Sequence, residues 1–204
     1  AECTDVQLRC EVAVHAIRQR ERDVELDLAD GERLRTRLLV AADSRFSGTR
    51  RQLGIGARLK DFGKTMLVCR MDHEKPHRQT AWEWFGYGQT LALLPLNGEQ
   101  SSVVLTLPPR EIERLRALDE DAFAREMERR FDRRLGAMRL ASERHAYPLV
   151  GAYAEKLVGP RCALIGDAAV GMHPVTAHGF NFGLGSVQRL SAAVLAAKAR
   201  REDI

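Results

Sequence analysis

The sequence has no long hydrophobic run and no cysteine cluster. Its apolar stretches are short and interrupted by charge, which excludes a membrane-spanning helix, and its start lacks the basic and apolar regions of a secretory signal. The cysteines are widely spaced and form no Cys-x-x-Cys pair, which argues against a zinc site or a disulfide framework. They lie at Cys3, Cys10, Cys69 and Cys162. We therefore expect a soluble protein from a reducing, cytoplasmic setting, with Cys69 and Cys162 as small buried hydrophobes.

The sequence also lacks a continuous basic stripe. Its 32 Lys and Arg against 28 Asp and Glu leave a net charge of only +4. In residues 120–134 the arginines are interleaved with Glu and Asp, a pattern typical of a solvated helix face rather than a phosphate-binding surface. We expect no nucleic-acid partner. No metal site is expected either, because His173 and His178 have no third ligand nearby.

With 204 residues, 45% of them hydrophobic, the chain can form one large or two small domains. The first part predicts short strands and a hairpin turn at Asp30-Gly31, then an apolar strand that ends at Asp43. The predicted strands are Val6 to Arg9, Val12 to Ile17, Val24 to Leu28 and Leu38 to Ala42.

Closely spaced strand patterns follow from about residue 62 to residue 107, and such strands usually pair antiparallel. Two helices are predicted after Pro108-Pro109, at Glu111 to Leu118 and at Glu120 to Asp132, the second capped by Asp119. The fold class is thus α/β and α+β, with a mostly antiparallel sheet-and-helix domain at 57–156. This domain interrupts another one, which comprises residues 1–56 and 157–204.

The segment "RCALIGDAAVGMHPVTAHGFNFGL", residues 161–184, combines a buried strand, a carboxylate and a glycine-rich helix start. The strand ends at Gly166 and directs Asp167 beyond its carboxyl end, and a helix begins near Gly179. A bare helix start exposes backbone N–H groups to an anionic ligand, and strand-end carboxylates commonly bind ribose-type hydroxyls. The pair suggests a nucleotide or related cofactor. Two alternatives stay open: the glycines allow close helix packing, and Asp167 caps a turn.

Three stretches together resemble the flavin-dependent aromatic hydroxylases with the para-hydroxybenzoate hydroxylase fold, in particular the ubiquinone-biosynthesis branch. "LLVAADSRFSGTR" is similar to the family's Asp-Gly motif, and "GDAAVGMHPVTAHGFNFGL" is similar to its Gly-Asp motif. "TAWEWFGYGQTLALLPLNGEQSSVVLTL" is similar to the sheet that lies over the flavin in that branch.

The resemblance implies FAD as cofactor and NAD(P)H as electron donor. It implies that a flavin hydroperoxide hydroxylates a phenolic ubiquinone precursor. Asp167 would contact the ribityl or pyrophosphate portion, Asp43 the phosphate and ribose region, and Gly179 to Asn181 the pyrimidine edge of the ring. The cofactor-binding residues implied are Asp43, Arg50, Gly166, Asp167, Pro174, Gly179, Phe180 and Asn181. Pro174 and His178 are the candidates for a position beside the reacting atoms.

For the aromatic substrate, the candidate pocket residues are Trp82, Trp84 and Leu93. Trp82 and Trp84 share one strand face, and Phe85 points away from it. The alternative is that this face packs on helices.

A prenylated substrate would bring the protein to a membrane surface, peripheral to the inner membrane, and homo-oligomerisation stays open as well.

The chain departs from the family pattern at Ser44, at Val170, where many relatives have histidine, at His178, where glutamine is usual, and in one missing unit. Ser44 stands where glycine is usual, which costs about 1 kcal/mol or more if the position needs a positive φ. The Gly-x-Gly-x-x-Gly unit that normally holds the ADP half of FAD is absent, so we expect the chain to be a piece of a longer hydroxylase.

Two other function classes remain. One is a non-catalytic fragment or interaction module that does not retain FAD by itself. The other is a reductase or halogenase on the same fold, and the lack of an obvious catalytic lysine in the sheet domain disfavours halogenation.

Overall fold

A computed structural model describes residues 5–174 and 178–204, and the chain forms two compact units. Unit 1 comprises residues 1–60 and 150–204, and unit 2 comprises residues 61–149. These boundaries differ by four and seven residues from the positions predicted at 56/57 and 156/157.

Unit 1 contains a three-stranded antiparallel meander. Its strands are β1 (Val14–Gln19), β2 (Val24–Leu28) and β3 (Arg33–Thr36). Gly31 adopts φ +89° in the turn between the last two, as the Asp-Gly pair predicts. The strand predicted at residues 6–9 does not form: Val6 is 71% and Leu8 is 83% exposed. Their apolar alternation has no partner strand here, and an unpaired strand has no ladder of hydrogen bonds to hold it.

The second sheet of unit 1 is built on two parallel strands from distant parts of the sequence. They are β4 (Leu39–Ala41) and β12 (Cys162–Leu164), and β11 (Val158–Gly159) pairs antiparallel with β12. Helix α1 (Gly48–Gln52) follows β4. Strand β13 (Val170–Gly171) pairs with the end of β10 (His145–Ala154), and helix α4 (Gly179–Ala199) follows.

Unit 2 is an antiparallel sheet with two helices on one face. Its strands follow the order β5-β8-β7-β6, and β9 pairs with β5 on the other side. Their ranges are β5 (Ala57–His73), β6 (Trp82–Gly86), β7 (Gln89–Pro95), β8 (Gln100–Leu107) and β9 (Met138–Leu140). The helices are α2 (Pro109–Ala117) and α3 (Glu120–Arg130). The predicted cap of α3 is confirmed, because the Asp119 carboxylate accepts a 2.7 Å hydrogen bond from the backbone N–H of Ala122.

The core of unit 2 lies between the sheet and these helices. Leu93 and Leu105 on the strands and Phe123 on α3 are completely buried in it. Alternate residues of β8 are buried, as expected for a sheet with one covered face. Cys69 belongs to the same core, and burial raises the pKa of its thiol to about 12, which suits a packing residue rather than a nucleophile.

Helix α4 forms where its apolar spacing predicts it, but no residue of the helix is buried. Leu184 is 48%, Val187 43% and Leu195 65% exposed. The apolar stripe of a long amphipathic helix normally packs against a core, so this stripe is an uncovered surface of the chain. Among the described residues, no helix has the length and apolarity needed to cross a membrane.

Replacing Leu93 with Ala should destabilise unit 2 strongly, whereas Leu94→Ala should not. The two residues are adjacent on β7, but Leu93 is completely buried and Leu94 is 42% exposed. We expect a loss of about 2–5 kcal/mol in the free energy of unfolding for Leu93→Ala and about 0.5 kcal/mol for Leu94→Ala, measured by urea denaturation. Equal losses would mean that the register of β7 is wrong.

Candidate functional site

Two acidic residues leave the same edge of the parallel sheet. Ala41 of β4 pairs with Leu164 of β12, and the backbone N–H of Ile165 donates to the Ala41 carbonyl at 3.0 Å. Asp43 follows β4 after one residue, and Asp167 follows β12 after two. The carboxyl ends of neighbouring parallel strands are where α/β sheets bind ligands. The structure therefore brings together the two strand ends that the sequence singled out.

Asp43 holds the start of α1. Its carboxylate accepts hydrogen bonds from the Ser47 hydroxyl at 2.5 Å and from the Thr49 backbone N–H at 2.9 Å. Partial burial opposes ionisation, but these hydrogen bonds outweigh it, so the pKa of Asp43 lies below its ordinary value. The Ser47 oxygen in turn accepts from the Arg50 N–H at 2.8 Å. Asp43 thus has a capping role in this chain.

Asp167 is held by an arginine that sequence reasoning did not select. The Arg45 Nη2 donates to Asp167 Oδ2 at 3.0 Å, and its Nη1 donates to the Val150 carbonyl at 3.0 Å. The Asp167 side chain remains 37% exposed, so the carboxylate is oriented and still accessible. Arg45 lies inside the Asp-Gly-like motif, but nothing in its spacing marks it as a partner of a residue 122 positions later.

Arg50 connects the loop after β4 to the turn after β12 through two hydrogen bonds. It is 4% exposed and donates to the Ala168 carbonyl at 2.8 Å and to the Arg45 carbonyl at 3.1 Å. Its buried Nε has no hydrogen-bond partner among the described residues. Both of these side-chain bonds go to backbone, so Arg50 fixes the loop after β4 against the 3-10 turn at Gly166–Ala168.

At Gly166, Gly179 and Gly183, no atom of the described residues would clash with a Cβ. A Cβ at Gly183 would lie 3.6 Å from the Gly166 Cα, which is an ordinary van der Waals contact, so the packing of α4 against the end of β12 does not require glycine there. Gly166 adopts φ +56°, and a Cβ there or at Gly179 would meet no atom of the described residues within 4 Å. The packing alternative therefore gains no support at Gly183, and the backbone at Gly166 and Gly179 borders a region that is open among the described residues.

The first residues of α4 are Gly179, Phe180 and Asn181. Phe180 is 81% exposed and Asn181 is exposed too, so packed side chains do not seal this helix start. Helix starts carry free N–H groups and partial positive charge. This end of unit 1 thus offers a carboxylate, open backbone and a positive helix end.

The proposed catalytic positions flank a short stretch, residues 175–177, that lies outside the described residues. Pro174 is exposed just before it. His178 is the exposed N-cap residue of α4: its carbonyl accepts from the Phe182 N–H at 2.8 Å, while its side chain makes no capping bond. Their catalytic roles stay predictions. Among the residues that the structure describes, no three His, Cys, Asp or Glu side chains are grouped to hold a metal ion.

Of the three predicted substrate-pocket residues, Leu93 is the one that the structure contradicts. Leu93 has no exposed surface, so it cannot line an open pocket, and Trp84 packs edge-on against Phe131 with ring centroids 5.5 Å apart. Trp82 packs partly against this core and also lines a groove at the surface of unit 2. The three residues share the sheet face that α2 and α3 cover, which is the alternative that the sequence left open. Phe85, on the opposite face, is 68% exposed.

Ser44 has φ +78°, a left-handed conformation that costs energy for any residue other than glycine, as expected from the glycine that the family has at this position. Ser44→Gly should therefore raise the free energy of unfolding by about 1 kcal/mol, measured by urea denaturation. Ser44→Ala is the matched control and should bring no gain, because alanine keeps the Cβ that causes the strain. A glycine variant no more stable than the alanine variant would contradict this explanation.

The stability contributed by Asp43 should depend on pH. Because its pKa is lowered in the folded state, the contribution is complete above its ordinary value of 3.8 and is lost as the pH falls through the lower folded value. We expect the stability difference between wild type and Asp43→Asn to be constant from about pH 5 to 7 and to shrink below pH 3.8. Ser47→Ala, which removes one donor, should shift this loss to higher pH. A difference that does not change with pH would rule out the assigned hydrogen bonds.

Comparison with known proteins identifies the family of the chain. Residues 1–202 match the family model described as FAD binding domain. The chain is 44% identical over 204 residues to "Ubiquinone hydroxylase UbiM" of Neisseria meningitidis serogroup C / serotype 2a, covering 100% of this chain and 44% of that protein. It is 40% identical over 183 residues to "Ubiquinone hydroxylase UbiL" of Rhodospirillum rubrum, covering 90% of this chain and 43% of that protein. The chain thus spans less than half the length of these relatives.

Among solved structures, a similar one is pqsL, a probable FAD-dependent monooxygenase from Pseudomonas aeruginosa. Its TM-score is 0.75 at 23% identity, covering 92% of this chain and 54% of that one. The flavin-dependent halogenase CmlS has a TM-score of 0.74 at 18% identity, covering 91% and 36%. These likenesses show a shared fold. The match of the family model over nearly the whole chain shows that the chain belongs to the family of FAD-binding domains.

Proposed function

We propose that this chain carries the flavin end of an FAD site, and that the whole protein hydroxylates a phenolic precursor of ubiquinone with NAD(P)H and oxygen. The observation that carries the proposal is the pairing of β4 with β12, which puts Asp43 and Asp167 at one edge of the sheet. The names of the two relatives, both ubiquinone hydroxylases, support the substrate class.

The residues present fit the flavin end of the cofactor. The exposed part of the Asp167 carboxylate would accept a hydrogen bond from a ribityl hydroxyl, and the backbone at Gly166 and Gly179 leaves room for close approach. The N–H groups at Gly179 to Asn181 would face the electron-rich edge of the ring, where a helix start stabilises negative charge. When bound, FAD would supply electron transfer and oxygen activation, and the protein would supply position and electrostatics.

Two arginines would prepare this site before the cofactor arrives. Arg45 engages Oδ2 of Asp167, and no hydrogen bond from the described residues occupies Oδ1, which would be available to a ligand hydroxyl. Arg50 holds the carbonyls of Arg45 and Ala168, so it sets the spacing of the two strand ends without needing a ligand contact of its own. A carboxylate held in this way loses little entropy when it binds. Arg50 would therefore act as a positioning residue.

The proposal extends to the domains and the reaction partners. Unit 1 would be the FAD-binding part and unit 2 the substrate-side part of the protein. A prenylated phenol would be met at a membrane surface, so the protein would work in the cytoplasm, peripheral to the inner membrane. Pro174 and His178 would lie beside the reacting ring.

A second candidate is a fold fragment that does not retain FAD by itself, and the exposed stripe on α4 favours it. Leu184, Val187 and Leu195 present apolar side chains that a complete FAD-binding domain would be expected to cover. The chain also contains no Gly-x-Gly-x-x-Gly turn for the ADP half of the cofactor. The two candidates differ in whether this chain alone binds flavin.

Titration of FAD with the purified chain separates them. We expect quenching of flavin fluorescence, and we expect Asp167→Ala to raise the dissociation constant about tenfold or more, because a charge-assisted hydrogen bond is lost. Glu143→Ala, an exposed change in unit 2, is the control and should bind as wild type does. Quenching that Asp167→Ala does not weaken would place the flavin elsewhere. A folded chain that does not quench flavin at all would favour the fragment.

A further inference from the structure

Unit 2 contains a basic groove of about 350 Å³ that the proposed flavin site does not use. Its walls are the loop after β5 and the loop after α3, and the backbone N–H of Lys75 joins them by donating to the Leu135 carbonyl at 2.9 Å. The basic and aromatic residues that line the groove are Lys75, His77, Arg78, Trp82 and Arg134.

The first wall is a turn built around a buried histidine. His77 is 4% exposed; its Nε2 donates to the Leu96 carbonyl at 3.0 Å, and its Nδ1 accepts from the Gln79 N–H at 3.0 Å. The Thr80 N–H donates to the His77 carbonyl at 2.9 Å. These bonds hold Arg78 and Gln79 at φ +51° and +57°, a conformation that non-glycine residues rarely adopt. Arg78 is therefore presented from a fixed backbone.

On the opposite wall, the guanidinium of Arg134 is held by two tryptophan rings. The Arg134 Cζ lies 5.6 Å from the ring centroid of Trp82 and 5.5 Å from that of Trp84. Cation–π contacts of this kind keep an arginine side chain in one region while its N–H groups remain available to a second partner.

The charge of the groove is not compensated by the protein. None of its lining residues is acidic, and within the described part of the chain no carboxylate pairs with Lys75, Arg78 or Arg134. On α3, by contrast, Arg129 and Arg130 both pair with Glu126. The nearby Glu74 carboxylate accepts from the Ala137 N–H at 3.2 Å. Three basic residues thus line one recess.

We propose that the basic groove binds a phosphate ester. Two guanidiniums and an ammonium match the charge and the oxygen-rich geometry of a phosphate better than those of a single carboxylate. A groove of about 350 Å³ is large enough for an attached group as well as the phosphate, and the partly exposed Trp82 offers apolar surface to it. The same chemistry is found in a nucleotide and in a phospholipid headgroup.

Intrinsic fluorescence provides a local test. The chain has only two tryptophans, Trp82 and Trp84, and both lie against Arg134. Inorganic phosphate, AMP and dihexanoylphosphatidic acid below its micelle concentration are titrated into the chain, with calorimetry in parallel. We expect at least one ester to change the emission and to bind more tightly than inorganic phosphate. Binding of AMP alone identifies a nucleotide as the source, and binding of the lipid alone identifies a headgroup.

Charge-removing variants locate the binding. Lys75→Gln and Arg78→Gln alter exposed side chains and should each raise the dissociation constant of the bound ester about tenfold, with unchanged circular dichroism and melting temperature. Arg125→Gln, on the exposed face of α3 and outside the groove, is the matched control and should bind as wild type does. Affinity should also fall from 0.15 to 1 M salt by screening. No response to any probe at millimolar concentration, or equal binding by Arg78→Gln and wild type, would overturn the proposal.

Discussion

The parallel pairing of β4 with β12 is the constraint on which the candidate flavin site depends. Three residue pairs, from Leu39 with Cys162 to Ala41 with Leu164, join segments that are more than 120 positions apart in the sequence. A shift of one residue in this register would turn the side chains of one strand to the opposite face of the sheet. It would also separate the start of the Asp43 loop from the Asp167 turn. The small core around Ala41, Leu164 and Ala169 opposes such a shift by burying all three side chains.

A polar network then fixes the loops that leave these strands. Arg50 is buried, and its contacts are with the carbonyls of two different loops, so it replaces the hydrogen bonds that those carbonyls would otherwise make with water. Arg45 adds an ion pair to Asp167. Arg45 also packs closely on Gly171, because a Cβ built at Gly171 would lie only 2.8 Å from the Arg45 Cβ. Asp167 is therefore oriented by Arg45, which also binds a backbone carbonyl, and Asp43 is oriented by the Ser47 hydroxyl and the Thr49 N–H. An oriented carboxylate is what a hydroxyl-rich cofactor chain requires.

The two units illustrate different sources of order. In unit 2 the alternation of β8, the cap at Asp119 and the apolar positions of α2 and α3 all agree with one another, and the sequence predicts these elements within a few residues. In unit 1 the segment at residues 6–9 has strand-like alternation but no partner, and it stays outside any strand and exposed. Hydrophobic alternation predicts a strand reliably where one face of that strand is covered by the rest of the fold. The same reason explains the error at Leu93, since alternation shows which residues share a face but not which face the helices cover.

The sequence by itself determined the motifs: an acidic residue after each of two apolar strands, a glycine where φ is positive, and a strained Ser44 where the family has glycine. Each of these is a property of neighbouring residues, and neighbouring residues are close in any fold. Only the tertiary structure decided that Arg45 belongs to Asp167, that Arg50 is a buried link rather than a surface cation, and that Arg134 lies over both tryptophans. Those partners are distant in the sequence, and long flexible side chains carry no spacing signal, so their contacts depend on how strands and loops come together in space.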